Sequence, residues 1–199
     1  MEPIEFWISI GSTYSFLSVM RLAEVEVETG VSFEFRPFSV RAIMIEMDNV
    51  PFIKKPVKAK YMWRDIERRA KRYGLQARIP APYPLKEFDL ANKIAVLGYQ
   101  EGWCRDYVTA AYRCWFQLGQ EAGSDPNVQD SLCAIGQDPD RVVKMATTPQ
   151  IEAAYLEATD EARSLGIFGS PTFNVGGELF WGDDRLEDAV DWYKRASSL

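Results

Sequence analysis

Apolar and polar positions change rhythm twice along this chain. Residues 4–10, Ile-Glu-Phe-Trp-Ile-Ser-Ile, form a short β-branched and aromatic run that stops at Gly11. A run of that length and composition predicts a strand buried on both faces or nearly so. From Thr13 the spacing turns helical: Phe16, Met20, Ala23 and Val27 fall on one stripe, and Gly30 stands where a C-terminal cap belongs. Residues 31–35 then alternate as Val-Ser-Phe-Glu-Phe, a second strand closed by Arg36-Pro37. The opening is thus a β-α-β unit, which pairs its strands in parallel.

The middle of the chain is helical. Ala59, Met62, Trp63, Ile66, Ala70 and Tyr73 keep helical spacing up to Gly74, and a proline-rich loop covers residues 79–84. From about Asp89 to Leu165 no strand pattern intervenes. Asp125-Pro126 and Asp138-Pro139 predict two helix starts, each an N-cap followed by a first-position proline. Strand patterns return at residues 171–175 and 178–181, around Gly176-Gly177, a dipeptide suited to a two-residue hairpin turn. A last helix carries Leu186, Ala189, Val190 and Tyr193 on one face, with Asp183 or Asp184 as its cap. Neither a lone β-α-β unit nor a lone hairpin buries enough surface to be stable, so the two ends must share one sheet. The expected fold is α/β, with a domain of residues 1–38 and 166–199 interrupted by a helical insertion of residues 39–165.

Composition narrows the chemistry. The chain has 199 residues and no histidine. That removes Ser–His–Asp and Cys–His mechanisms and the commonest zinc ligand. Cys104, Cys114 and Cys133 form no C-x-x-C pair and no zinc spacing, so each reads as a buried small apolar residue and no metal is expected. A net charge of −6 argues against nucleic acid. The basic stretch from Arg64 to Arg72 also carries Asp65 and Glu67, and reads as a solvated helix face. The first residues lack the basic flank and apolar run of a signal peptide, and no stretch approaches a membrane span. A cytoplasmic protein without a membrane partner is the expectation.

Two segments remain as candidate chemistry. Gly11-Ser12-Thr13-Tyr14-Ser15 lies at the turn out of the first strand, where ligands gather in open sheets. Ser12 either caps the following helix or donates to a bound anion. Phe168-Gly169-Ser170-Pro171-Thr172-Phe173 places a proline at the start of a strand. This is either a plain loop proline or a cis bond that leaves the Ser170 backbone free to pair with an extended ligand.

The order β-α-β, helical insertion, Gly-x-Pro-Thr, ββα resembles a thioredoxin-like fold of the DsbA-like type. Ser12 to Ser15 stand where such enzymes carry C-x-x-C, which excludes dithiol exchange by that route. Over nearly its whole length the chain resembles the 2-hydroxychromene-2-carboxylate isomerase family and the related kappa-class glutathione transferases. The resemblance rests on Ser12-Thr13-Tyr14-Ser15 against the family's S-P-Y-S, on Arg36-Pro37 and on Asn49-Val50-Pro51. It also rests on Lys58-Ala59-Lys60-Tyr61-Met62 with Asp65, on Gly169 to Phe173 and on Phe180 to Leu186.

The resemblance implies a glutathione cofactor. Ser12 would hydrogen-bond its sulfur as the catalytic residue, and Ser170, before Pro171, would pair with its cysteinyl backbone. Asp183 and Asp184 would hold the γ-glutamyl end, and Asn49 would face the bound ligands. Tyr14, Lys58 and Tyr61 would meet a small aromatic substrate, and a homodimer is a family expectation. The implied function is a glutathione-dependent isomerase acting on an unsaturated aromatic keto acid by reversible thiolate addition. A kappa-like glutathione transferase and a non-catalytic peptide-binding module of the same fold are the alternatives. Thr13 departs from the family's proline and brings an additional hydroxyl.

Overall fold

A computed structural model describes residues 2–49, 52 and 55–197; Val50 and Pro51 of the Asn49-Val50-Pro51 element lie outside these residues. Both ends of the chain contribute to one four-stranded mixed sheet of order β2-β1-β3-β4. Strand β1 (Ile4–Ile8) runs parallel to β2 (Phe33–Pro37), with Ile4 opposite Phe33 and Ile8 opposite Pro37. On its other side β1 pairs antiparallel with β3 (Thr172–Val175), placing Trp7 opposite Thr172. A hairpin through Gly176 and Gly177, both at positive φ, joins β3 to the edge strand β4 (Glu178–Trp181). Phe6 in the central strand stacks on Phe173 at 5.2 Å and meets Phe35 edge-on at 4.9 Å, so the aromatic residues of three strands close one face.

The first crossover departs from the expected single helix. It breaks into α1 (Ser15–Val19) and α2 (Leu22–Thr29). Ala23 and Val27 of the expected apolar stripe are solvent-exposed, and Leu22 is buried instead. The break turns α2 and brings Arg21 inward, against a buried carboxylate described below.

The insertion consists of α3 (Val40–Glu46), α4 (Pro56–Arg72), α5 (Phe88–Glu101) and α6 (Cys104–Arg113), then α7 (Asn127–Ala134), α8 (Pro139–Ala146) and α9 (Pro149–Ser164). A π-helical turn, Cys114–Leu118, extends α6. Asp138 caps α8 as expected, accepting from the amides of Asp140 and Arg141. Asp125 does not cap α7: that helix starts at Asn127 after a cis Asp125-Pro126 bond. The chain ends in a 3-10 turn, Asp183–Arg185, and α10 (Leu186–Ser197), which packs on β3 and β4.

One contiguous apolar core runs through sheet and insertion, from Phe6 and Phe173 to Phe16, Tyr112, Trp115 and Phe116. Phe16 of α1 stacks on Phe116 at 4.2 Å, and such fully buried rings each contribute about 1.5–3 kcal/mol. Cys104 and Cys114 are buried as expected; Cys133 is exposed, because it lies on the outer face of α7. No described helix is long and apolar enough to cross a membrane.

Candidate functional site at the turn after the first strand

The two candidate segments, far apart in sequence, meet at the C-terminal end of β1. Ser12 Oγ donates to the Ser170 carbonyl at 2.5 Å. Ser170 Oγ in turn accepts from the Ser9 amide at 2.9 Å and lies 3.1 Å from Ser15 Oγ. The Ser170-Pro171 peptide bond is cis. Gly11, at φ +128°, opens the turn, and a Cβ there would fall 2.6 Å from the Phe88 ring. Only glycine fits both that backbone angle and that close approach.

Ser12 is half-buried and does not cap a helix. Helix α1 starts at Ser15 with Tyr14 as its N-cap residue, and it is only five residues long. What Ser12 offers is its hydroxyl, held on the Ser170 carbonyl. Thr13, the departure from the family motif, is buried, and its Oγ1 donates to Met62 Sδ at 3.0 Å. The additional hydroxyl is therefore spent on packing against α4. Tyr14 donates its hydroxyl to Asp65 Oδ2 at 3.0 Å. Burial, reinforced by the Asp65 carboxylate, pushes the Tyr14 phenol well above its ordinary pKa, so it stays a neutral donor.

Helix α4 is positioned by one stripe. Met62 meets Thr13, Asp65 meets Tyr14, and Arg69 reaches Asp183, at the i, i+3, i+7 spacing of a single helix face. Lys58 and Tyr61 lie on the first turns of this helix, both exposed, Tyr61 with 61% of its surface accessible. With Lys55, Pro56 and Val57 they line an open depression. The Arg68 guanidinium stands 5.6 Å from the Tyr61 ring. Asn49 is exposed just beyond α3, its amide bonded to the Met44 carbonyl.

The acidic pair divides into two roles. Asp183 is buried, and it accepts from Ser18 Oγ at 2.9 Å, Arg21 Nη2 at 3.1 Å and Arg69 Nη2 at 2.5 Å. Burial pushes its carboxyl up, while Arg21, Arg69 and Ser18 pull it down. The Arg21 guanidinium also lies 3.8 Å above the Tyr73 ring and reaches Glu187 at 2.6 Å. Asp183 thus ties α1 and α4 to the last turn, and its oxygens face these partners instead of open solvent. Asp184 is exposed and pairs with Arg185 at 3.3 Å. Gly182, at φ +114°, makes room for it, since a Cβ there would lie 2.5 Å from Asp184 Oδ1. Both aspartates open the 3-10 turn that leads directly into α10.

Several residues of this arrangement escaped the sequence reading. Arg69 sits in the basic stretch assigned to a solvated face, yet it is the exception that turns inward to Asp183. Asn92 of α5 and Tyr112 of α6 bond the backbone of the turn itself. Asn92 left a trace, since it is a lone amide among Ala91, Ile94 and Ala95 on an apolar helix. Tyr112 left none, because a tyrosine in an aromatic cluster looks like core.

With this geometry in hand, the chain can be set beside known proteins. The family model of the DSBA-like thioredoxin domain matches residues 3–194. The 2-hydroxychromene-2-carboxylate isomerase of Sphingobium xenophagum is 30% identical over 193 residues, which span 94% of this chain and 95% of that protein. Glutathione S-transferase kappa 1 of Caenorhabditis elegans is 24% identical over 212 residues, covering 100% of this chain and 94% of its own. A solved structure of 2-hydroxychromene-2-carboxylate isomerase superposes with a TM-score of 0.85 at 23% identity, over 99% of this chain and 98% of that one, and so shares the fold.

These matches first define the class, a thioredoxin fold of the DSBA-like type. The chain belongs to the DSBA-like thioredoxin family and, within it, to the 2-hydroxychromene-2-carboxylate isomerase family. Its named relatives are isomerases and glutathione transferases.

Proposed function

We propose that the protein is a glutathione-dependent isomerase of the 2-hydroxychromene-2-carboxylate type. The observation that carries this reading is the hydrogen bond from Ser12 to the Ser170 carbonyl at the end of β1. An extended ligand whose N–H pairs with that carbonyl lets the Ser12 hydroxyl turn its proton toward a neighbouring sulfur. A hydroxyl donated to the charged form favours thiolate over thiol. The nucleophile is then supplied by the bound tripeptide, which suits a chain with no histidine. Asp184, exposed beside the turn, would meet the ammonium of the γ-glutamyl end. Asp183 contributes by holding that turn, with Arg69 and Arg21 as its partners.

In this reaction the thiolate adds to the unsaturated carbon of an aromatic keto acid. A C–S bond forms while the double bond's electrons move onto the keto oxygen. Rotation follows about what is now a single bond, and expulsion of the thiolate restores the double bond and free glutathione. Lys58 and Tyr61, on the open first turns of α4, would receive the acceptor, and Tyr14 would border it. Asn49 would face both ligands from the end of α3. A cytoplasmic homodimer completes the proposal, and sedimentation of the purified protein tests the dimer.

The experiment is the interconversion of 2-hydroxychromene-2-carboxylate and its ring-opened keto acid, with and without glutathione. Turnover is expected only with glutathione, whose concentration stays constant. Full activity without added glutathione overturns the proposal. The similarity to a kappa glutathione transferase supports one second reading, in which the adduct is kept. Stoichiometric consumption of glutathione with an aromatic electrophile identifies that outcome.

A further inference from the structure

The turn that carries Ser12 is held from the helical insertion by two buried side chains for which the proposed chemistry has no direct use. Asn92 of α5 accepts from the Ile10 amide at 2.7 Å and from Ser9 Oγ at 3.3 Å. Its amide group donates to the Ile10 carbonyl and the Phe88 carbonyl, each at 2.8 Å. Tyr112 of α6 points its hydroxyl at the Ser12 carbonyl at 2.9 Å and the Ser9 carbonyl at 3.2 Å. Both side chains are fully buried, and the Tyr112 ring is wedged against Trp115 and Phe116. Each therefore has one available position, and each bonds the backbone of the turn directly.

We propose that Tyr112, supported by Asn92, is the positioning residue for Ser12, fixing the backbone of residues 9–12 so that the Ser12 hydroxyl is aimed at the ligand sulfur. The inference rests on the proposed glutathione chemistry. Its physical basis is that a donor's effect on a developing charge depends on a geometry held before the ligand arrives. The Ser12 hydroxyl hangs on a single rotatable bond, so its direction is only as well defined as the backbone beneath it. In the thioredoxin part, the cis-proline loop reaches that backbone through Ser170 Oγ, which accepts from the Ser9 amide. The contacts on Ile10 and on the Ser12 carbonyl come from the insertion. The insertion thus does more than carry Lys58 and Tyr61: it sets the thiol end as well.

Tyr112→Phe removes only the oxygen and keeps the packed ring. The test is a spectrophotometric titration of glutathione bound to each protein, reading thiolate absorbance against pH, together with kcat and KM for glutathione with an aromatic electrophile. The expected result is a bound-thiol pKa raised by about one unit and kcat lowered about tenfold, with KM within twofold of the parent. Asn92→Ser, too short to span both groups of Ile10, is expected to move the same quantities in the same direction. If both variants titrate and turn over like the parent and differ only in melting temperature, the two residues are merely structural and the inference falls. A parent protein that leaves the glutathione thiol at its solution pKa overturns the glutathione reading and this inference together. A lowered pKa in the parent and in both variants alike overturns the inference alone.

Discussion

The two ends of the candidate site are built in opposite ways. At residues 9–14 nearly every polar group is bonded to a buried or half-buried partner from another element: Ser9 and Ile10 to Asn92 and Ser170, Ser12 to Tyr112 and Ser170, Thr13 to Met62, Tyr14 to Asp65. At residues 55–61 the first turns of α4 stand in solvent, with Val57 84% and Tyr61 61% exposed. Helix α4 belongs to both regions. Its later turns are anchored by Met62, Asp65 and Arg69, while its start stands exposed. In the proposed reaction a thiolate must be stabilised in one geometry whatever the acceptor, so rigidity serves that end. An acceptor pocket can vary from one relative to another, and an exposed helix start allows this.

The contrast can be broken most forcefully at Asp183. Asp183→Ala leaves the buried guanidinium of Arg21 and the half-buried one of Arg69 without their shared carboxylate, and is expected to cost about 3–5 kcal/mol, read by urea unfolding. A loss below about 1 kcal/mol would show that the rigid end does not depend on this network. Ser12→Ala comes next: turnover should fall about a hundredfold, the scale for removing one hydrogen-bond donor from a developing charge, with an unchanged melting temperature. Because the hydroxyl favours the thiolate, its removal raises the thiol pKa, so the acidic limb of the kcat/KM profile should move to higher pH.

Smaller effects sharpen the comparison. Lys58→Ala and Tyr61→Ala are expected to raise KM for a carboxylate-bearing aromatic acceptor several-fold. They should leave KM for glutathione and the unfolding midpoint unchanged, and a shift in either would mean that the open end is not independent. Least of all, Thr13→Val should cost no more than about 1 kcal/mol, since it loses one hydrogen bond to a weak sulfur acceptor. Turnover should not change. A clear fall in kcat with normal stability would assign the Thr13 hydroxyl to the thiol chemistry instead.

Much of the scaffold was readable from local signals. The run from Ile4 to Ile10, the alternation to Phe35 and the Gly176-Gly177 hairpin are patterns of neighbours in sequence, and each overlaps an observed strand, although β1 stops at Ile8 and β2 is shifted to Phe33–Pro37. Errors fell where long-range contacts override local preference. The stripe through Ala23 and Val27 failed because Arg21 turns inward to Asp183 and breaks the helix. Asp125 resembled Asp138 as a cap, yet only Asp138 is followed by a helix that starts at the next residue. Cys133 looked as apolar as the other cysteines, but it is exposed, while Val128, Ser131 and Leu132 carry the buried side of α7.

For the site, the sequence located the two segments and left their union open. Ser12 and Ser170 carry motifs that can be recognised one at a time, because glycine, proline and serine punctuate a chain locally. That they share a hydrogen bond across 158 positions follows only from β1 pairing with β3. The same holds for charge: composition supplied a pair of aspartates, while tertiary structure buried Asp183 among arginines and left Asp184 in solvent. The lack of histidine is likewise a fact of sequence, and it excluded whole mechanisms before any fold was known. By itself, then, the chain determined its elements, its family and the hydroxyl available for chemistry, since these depend on residue type and short spacing. Which backbone that hydroxyl stands on, and that Asn92 and Tyr112 hold it, was decided by the tertiary structure. A buried polar group must find its partner wherever the fold brings one within reach.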